Sequence, residues 1–198
     1  MIRLESICKS YGDNKVLEDI NLAFAPGLTC LMGPSGIGKT TLANIIAGLL
    51  PADSGEISGL DGKKISMVFQ EDRLLEWETA ITNLLFVMKK GTGKDNRNRA
   101  RLLLTQAGLA GSLEKKAAEL SGGMKRRVCL CRALVAEYDV LILDEPFKGL
   151  DSGIKPSVMA MVLEYACANP DKTVICITHD PLEAEYLGGR VEVLYTFA

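Results

Sequence analysis

No stretch of the chain approaches the roughly 18 consecutive apolar residues that a membrane-spanning helix needs, and Met1-Ile2-Arg3-Leu4-Glu5-Ser6 lacks the apolar run of a secretory signal. The protein is therefore expected to be soluble and cytosolic. An excess of one charge is also missing: 23 Lys and Arg stand against 25 Asp and Glu, a net charge of −2. Without a basic stripe to neutralise phosphodiester backbones, no nucleic acid partner is expected. The six cysteines (Cys8, Cys30, Cys129, Cys131, Cys167, Cys176) contain no C-x-x-C pair. Cys129 and Cys131, two apart on an expected helix, do not share a face, so all six read as small buried hydrophobes rather than metal or redox ligands. There is one histidine and one tryptophan, and no internal repeat.

What the chain does have is size and alternation. Its 198 residues, 47% hydrophobic and 24% charged, suffice for one globular unit burying roughly 70% of its unfolded surface. Short apolar runs at residues 28–32, 64–69, 139–143, 172–178 and 190–194 read as strands separated by helical periodicity, which implies an α/β fold. Before them, residues 2–8 and 16–24 alternate more loosely around Tyr11-Gly12-Asp13-Asn14, as an antiparallel pair would. From Glu71 to Leu120 no strand is expected. Ile81, Leu84, Leu85 and Met88 mark one helix and residues 99–107 a second, with Lys89 to Asn96 as a polar connector. A helical insert of approximately residues 71–135 thus interrupts the α/β portion.

The strongest chemical signal is Gly33-Pro34-Ser35-Gly36-Ile37-Gly38-Lys39-Thr40, which fits G-x-x-x-x-G-K-[ST] and is followed by Thr41. It lies between a strand and Leu42, Ile45, Ile46, Leu49 and Leu50 at helical spacing. Such glycines let successive N–H groups point into one concavity, and the helix that follows adds about half a positive charge from its unpaired amides. In that context Lys39 reaches the β- and γ-phosphates of a nucleotide and the Thr40 hydroxyl sits on Mg²⁺.

Four further groups follow. Val140-Leu141-Ile142-Leu143 has the continuous apolar character of a strand buried on both faces and ends in Asp144-Glu145-Pro146. Carboxylates at that strand end face the ligand crevice, where Asp144 would hold Mg²⁺ and Glu145 would orient and deprotonate water. His179 follows another apolar run; it is either a structural histidine or a neutral imidazole that contacts the γ-phosphate or fixes the water beside Glu145. Gln70 ends the run at 64–69 and is either a surface residue or an amide that meets Mg²⁺, the water or the γ-phosphate. Finally, Ser121-Gly122-Gly123 opens a helix with Met124, Val128, Cys131, Leu134 and Val135 on its inward stripe. As a plain motif it is a serine N-cap. As an anion site it tops a phosphate already bound elsewhere, and the economical source of that phosphate is a second copy related by a two-fold axis.

Taken in order, Gly33 to Thr40, Gln70, Leu120 to Gly123, Val140 to Pro146, Gly149-Leu150-Asp151 and His179 resemble the ATP-binding subunit of an ABC transporter over almost the whole chain. The resemblance implies a P-loop NTPase of the ABC ATPase type with an N-terminal antiparallel β subdomain and a helical insert. It implies ATP and Mg²⁺ as cofactors, Tyr11 stacking on adenine, Gln70 reporting to a membrane partner, and Asp151 linking two active sites. It also implies a dimer, homomeric or with a related ATPase subunit, attached peripherally to the cytoplasmic face through transmembrane permease subunits, with a solute-binding protein in the complete system. Residues 68–77 are similar to those of nitrate, sulfonate and taurine importers, although Glu76 stands where proline is common, and Met124 stands where the signature usually has glutamine. An exporter ATPase and a soluble ABC protein are the alternatives. Leu74, Leu75 and Trp77 suit either a groove for a short membrane-subunit helix or core packing.

Overall fold

A computed structural model describes residues 1–89 and 91–195. Five parallel strands form its centre: β3 (Gly27–Met32), β5 (Ile65–Val68), β6 (Val140–Asp144), β7 (Thr173–Ile177) and β8 (Arg190–Val193), in the order β5-β6-β7-β3-β8. A three-stranded antiparallel sheet of β1 (Ile2–Tyr11), β2 (Asn14–Phe24) and β4 (Ser54–Ser58) covers part of one face in the order β2-β1-β4. The described residues also form six α-helices, α1 (Lys39–Ile46), α2 (Ala80–Leu85), α3 (Gly93–Gln106), α4 (Gly122–Val135), α5 (Lys155–Ala168) and α6 (Pro181–Leu187), and two 3-10 turns at Ala110–Ser112 and Ala117–Glu119.

The period-two geometry of a strand explains the layering. On β6, Leu141 and Leu143 pack into a core with α3, α4 and α5, whereas Val140 and Ile142 pack into a second core with α1 and the antiparallel sheet. All five β6 residues are buried. A strand covered on both faces reads as an unbroken apolar run, and this one does. The β1–β2 hairpin closes on Gly12 and Asp13, with Tyr11 opposite Asn14. No described helix is long and apolar enough to cross a membrane.

Several expectations are corrected. Strand β4 lacks alternation because four of its five residues are exposed; backbone pairing with β1, such as Leu4 opposite Ile57, makes it a strand. Helix α1 stops at Ile46, where Gly48 at φ 70° turns the chain and leaves Leu49 exposed. Helix α3 starts at Gly93, inside the expected polar connector, because Thr92 caps it by accepting from the Asp95 N–H at 3.2 Å. Lys90 of that connector lies outside the described residues. Of the six cysteines, four are buried; Cys8 is half-buried and Cys167 exposed, and none is in a disulfide.

Truncating Ile142, which has no exposed surface, removes a methyl-rich wedge between sheet and α1. Ile142→Ala is expected to lower unfolding free energy by about 2–5 kcal/mol in urea titration. A change below ~1 kcal/mol would mean that this layer is not close-packed.

Candidate nucleotide site

The parallel sheet gathers the candidate residues because its strands all end at one edge. The loop from Gly33 follows β3, Gln70 follows β5, Asp144 and Glu145 end β6, and His179 follows β7. Ser35, Lys39, Thr40, Gln70, Asp144 and Glu145 line one cavity of about 330 Å³ there, together with Thr41, Val16 and Lys148 among others. A larger cavity, about 410 Å³, opens by Lys64, Arg99 and Tyr138, beside Val135 and Asn169 at the ends of α4 and α5. Its cations complement helix C-termini, and no candidate residue lines it.

The loop has the backbone of a cradle. Gly38 caps α1 in the left-handed region at φ 101°, and a Cβ there would sit 2.8 Å from Leu17 and 3.0 Å from the Val16 carbonyl. Any other residue would clash with Val16 and Leu17 as well as strain the turn. The first turn of α1 carries no acidic residue to oppose an anion. Lys39 is buried, and its ammonium donates to the carbonyls of Gly33 and Pro34, each at 2.7 Å. Burial holds its pKa below the usual lysine value, against the pull of the Glu145 and Asp144 carboxylates.

Asp144 is 1% exposed, and neither carboxylate oxygen has a partner in good hydrogen-bond geometry, although the Thr40 hydroxyl is close enough to influence its titration. Burial pushes its carboxyl above the usual range; the Glu145 charge adds to this, while the Thr40 hydroxyl, Arg126 and Lys39 oppose it. Buried orphan oxygens are rare in folded proteins and ask for a ligand. Among the described residues no three His, Cys, Asp or Glu converge on a point. A cation here would therefore draw on Asp144, the Thr40 hydroxyl, the Gln70 amide and oxygens of a bound phosphate. That donor set fits Mg²⁺, which takes one or two carboxylates plus substrate phosphates.

Glu145 occupies the left-handed region at φ 46°. Its N–H donates to the Ile177 carbonyl at 3.0 Å, which fixes the turn away from β6. Backbone strain of this kind concentrates at functional sites. Its carboxylate accepts from Lys148 Nζ at 2.6 Å and meets His179 Nδ1 at 3.0 Å. Partial burial would raise its pKa, but these two hydrogen bonds and the associated charges outweigh burial and lower it. With the proton on Nδ1, His179 orients Glu145 and leaves Nε2 facing elsewhere.

Several expected residues do not join this cavity lining: Gly33, Pro34, Ile37 and His179 are absent from it, His179 instead lining a cavity of about 190 Å³ with Glu145 and Lys148, and so are Tyr11 and the second glycine turn. Tyr11 is 52% exposed at the hairpin end, with Lys9 Nζ 6.0 Å from its ring centre. Ser121, Gly122 and Gly123 form the start of α4, where Ser121 Oγ accepts from the Met124 N–H at 3.4 Å. Gly123 lies against the Gly149 carbonyl, 3.3 Å from where its Cβ would be. Within one chain, then, the second glycine turn does not meet the first.

Arg126 escaped the sequence reading. It is 4% exposed, and its Nη2 donates to the Asp144 and Glu145 carbonyls at 2.8 and 2.7 Å. Its Nη1 donates to the Phe69 carbonyl and, at 3.3 Å, to that of Gln70, with Asp72 3.4 Å away. One guanidinium thus joins the helix opened by Ser121 to both Gln70 and the acidic strand end. Its flanking cations reach elsewhere: Lys125 pairs with Glu76 at 3.1 Å, and Arg127 bonds the Ala107 carbonyl at 2.7 Å. Three adjacent basic residues give no sign in sequence of which one is buried.

The family model described as ABC transporter matches residues 17–148. The chain belongs to the ABC transporter family. It is 44% identical over 196 residues to the aliphatic sulfonates import ATP-binding protein SsuB 1 of Rhodococcus jostii (strain RHA1), covering 96% of this chain and 78% of that protein. It is 37% identical over 204 residues to the taurine import ATP-binding protein TauB of Escherichia coli O157:H7, covering 98% of this chain and 79% of that one. An ATP-binding cassette solved as a dimer in a post-hydrolysis state bound to ADP and Pi superposes with a TM-score of 0.84 at 30% identity, over 98% of this chain and 94% of that one. ATP hydrolysis is accordingly the reaction of this ABC ATPase.

Arg126→Met keeps the bulk and removes the donors. It is expected to leave four backbone carbonyls short of a partner, to destabilise the ABC ATPase by about 2–4 kcal/mol and to lower turnover more than ATP affinity. Unfolding titration and steady-state kinetics check this; wild-type stability and kcat would remove Arg126 from the linkage.

Proposed function

We propose that this chain is the ATP-hydrolysing subunit of an importer for small sulfonate-type anions, working as a dimer whose two copies close over ATP. The observation that carries the reading is the convergence of a glycine cradle, an orphaned carboxylate and a hydrogen-bonded glutamate at one sheet edge. The import direction and the cargo class are supported by the printed functions of the relatives.

In this reading the amides of residues 33–41 and the start of α1 bind the phosphates, and Lys39 exchanges the Gly33 and Pro34 carbonyls for phosphate oxygens. Thr40, Asp144 and Gln70 would hold Mg²⁺, which would screen the phosphate charge. Glu145, oriented by His179, aligns a water and takes its proton as the water oxygen bonds to the γ-phosphorus. The bond to the β-bridging oxygen breaks, and its electrons leave with ADP. Tyr11 stacks on adenine. Ser121, Gly122 and Gly123 of the partner complete the phosphate shell, which explains why they stand outside the cavity of their own chain.

The chain acts as a single ATP-binding domain in which residues 71–135 form a helical arm toward the membrane. Trp77 is 69% exposed and Leu74 and Leu75 half-buried. Asn83 holds the segment by accepting from the Leu75 N–H at 2.9 Å and donating back to the Leu75 carbonyl at 3.2 Å. An aromatic presented on a pinned loop suits a transmembrane permease subunit. The subunit therefore sits at the cytoplasmic face of the membrane, and a solute-binding protein delivers cargo on the other side.

Glu145→Gln is expected to retain ATP binding, lose 10²- to 10⁴-fold in turnover and run as a dimer in size exclusion with ATP; normal turnover would refute the assignment. Trp77→Glu should leave the ATPase activity of the purified subunit intact and abolish transport in the assembled complex. Retained transport would exclude this segment from coupling.

A further inference from the structure

Lys148 belongs to neither glycine turn, yet it lies in the same cavity as Ser35, Lys39, Thr40 and Gln70. Its backbone is fixed: the Lys148 N–H donates to the Glu145 carbonyl at 3.2 Å, and the preceding Phe147 is 1% exposed in the core. Its side chain is 54% exposed, against 15% for the Glu145 carboxylate it binds at 2.6 Å. Of the other nearby cations, Arg126 is committed to four carbonyls, whereas Lys39 donates from a buried position to the two cradle carbonyls it exchanges for phosphate.

This pairing has a chemical consequence. A terminal phosphate monoester carries about −1.5 to −2 charge near neutral pH, against −1 for a carboxylate. A compact ammonium on a flexible four-carbon stem therefore transfers to such a phosphate when one lies within reach.

We propose that Lys148 is a second phosphate-contacting lysine, which leaves Glu145 for the γ-phosphate of ATP. The inference rests on the nucleotide-site reading given above. It makes Lys148 a specificity residue, because ADP lacks the group that draws the ammonium away.

The test is affinity rather than turnover. The full chain and its Lys148→Met variant are titrated with ADP and with adenylyl imidodiphosphate, a non-hydrolysable ATP analogue, by displacement of a fluorescent nucleotide. The expected result is roughly tenfold weaker binding of the triphosphate analogue, the scale of one partly exposed charged hydrogen bond, with ADP affinity unchanged and Lys148→Arg restoring most of the loss. Equal effects on both nucleotides, or none on either, would overturn the exchange. Lys39→Ala separates this from the underlying reading: weakened binding of both nucleotides in that variant keeps the cradle intact while Lys148 fails, whereas unaltered binding would sink both.

Discussion

A carboxylate buried without a partner is the constraint on which this site depends. Asp144 is held inside the sheet edge because β6 is covered on both faces, and both its oxygens are shut away from water. Burial of an ionised carboxylate is unfavourable unless a cation or donor compensates it. Lys39, the natural neighbour, donates instead to the Gly33 and Pro34 carbonyls. The fold thus stores an unmet electrostatic demand beside the phosphate cradle, and the metal–triphosphate complex proposed as ligand would meet both demands together.

Around that centre the structure is arranged to hold groups in place. Arg126 ties the ends of β5 and β6 to α4, so the turn at Ser121, the segment from Gln70 and the strained Glu145 backbone share one guanidinium. A shift of α4 therefore reaches Glu145 through hydrogen bonds rather than through loose packing. The Thr178 hydroxyl and Lys155 both bond to Glu183, and Lys155 also pairs with Asp180 at 3.1 Å. These contacts stiffen the turn that presents His179.

Much of this was legible in the sequence because the informative features are local. The glycine spacing before α1 and the apolar run of β6 ending in two carboxylates each reflect a backbone requirement that few residue types satisfy. The elements that were missed depend on distant partners. Strand β4 exists through pairing with β1 and carries no alternation of its own. The start of α3 was hidden because Thr92 and Asp95 look equally like loop residues until one caps the other. Arg126 and Lys148 were invisible as site residues, since a buried guanidinium and a solvated one have the same letter. Glu76, which departs from the proline common in similar importers, gains a reason from structure: it pairs with Lys125 and fastens the Trp77 segment to α4.

The central claim is that Asp144 destabilises the free fold and is satisfied by a divalent cation held with nucleotide. Thermal unfolding of the wild type and of Asp144→Asn, each with ADP in EDTA and with ADP in excess Mg²⁺, tests it most directly. The account predicts that Asp144→Asn unfolds no lower than the wild type in EDTA, because the buried charge is gone, and that Mg²⁺ raises the transition of the wild type alone. A variant that unfolds well below the wild type in EDTA and still gains the full Mg²⁺ increment would contradict it.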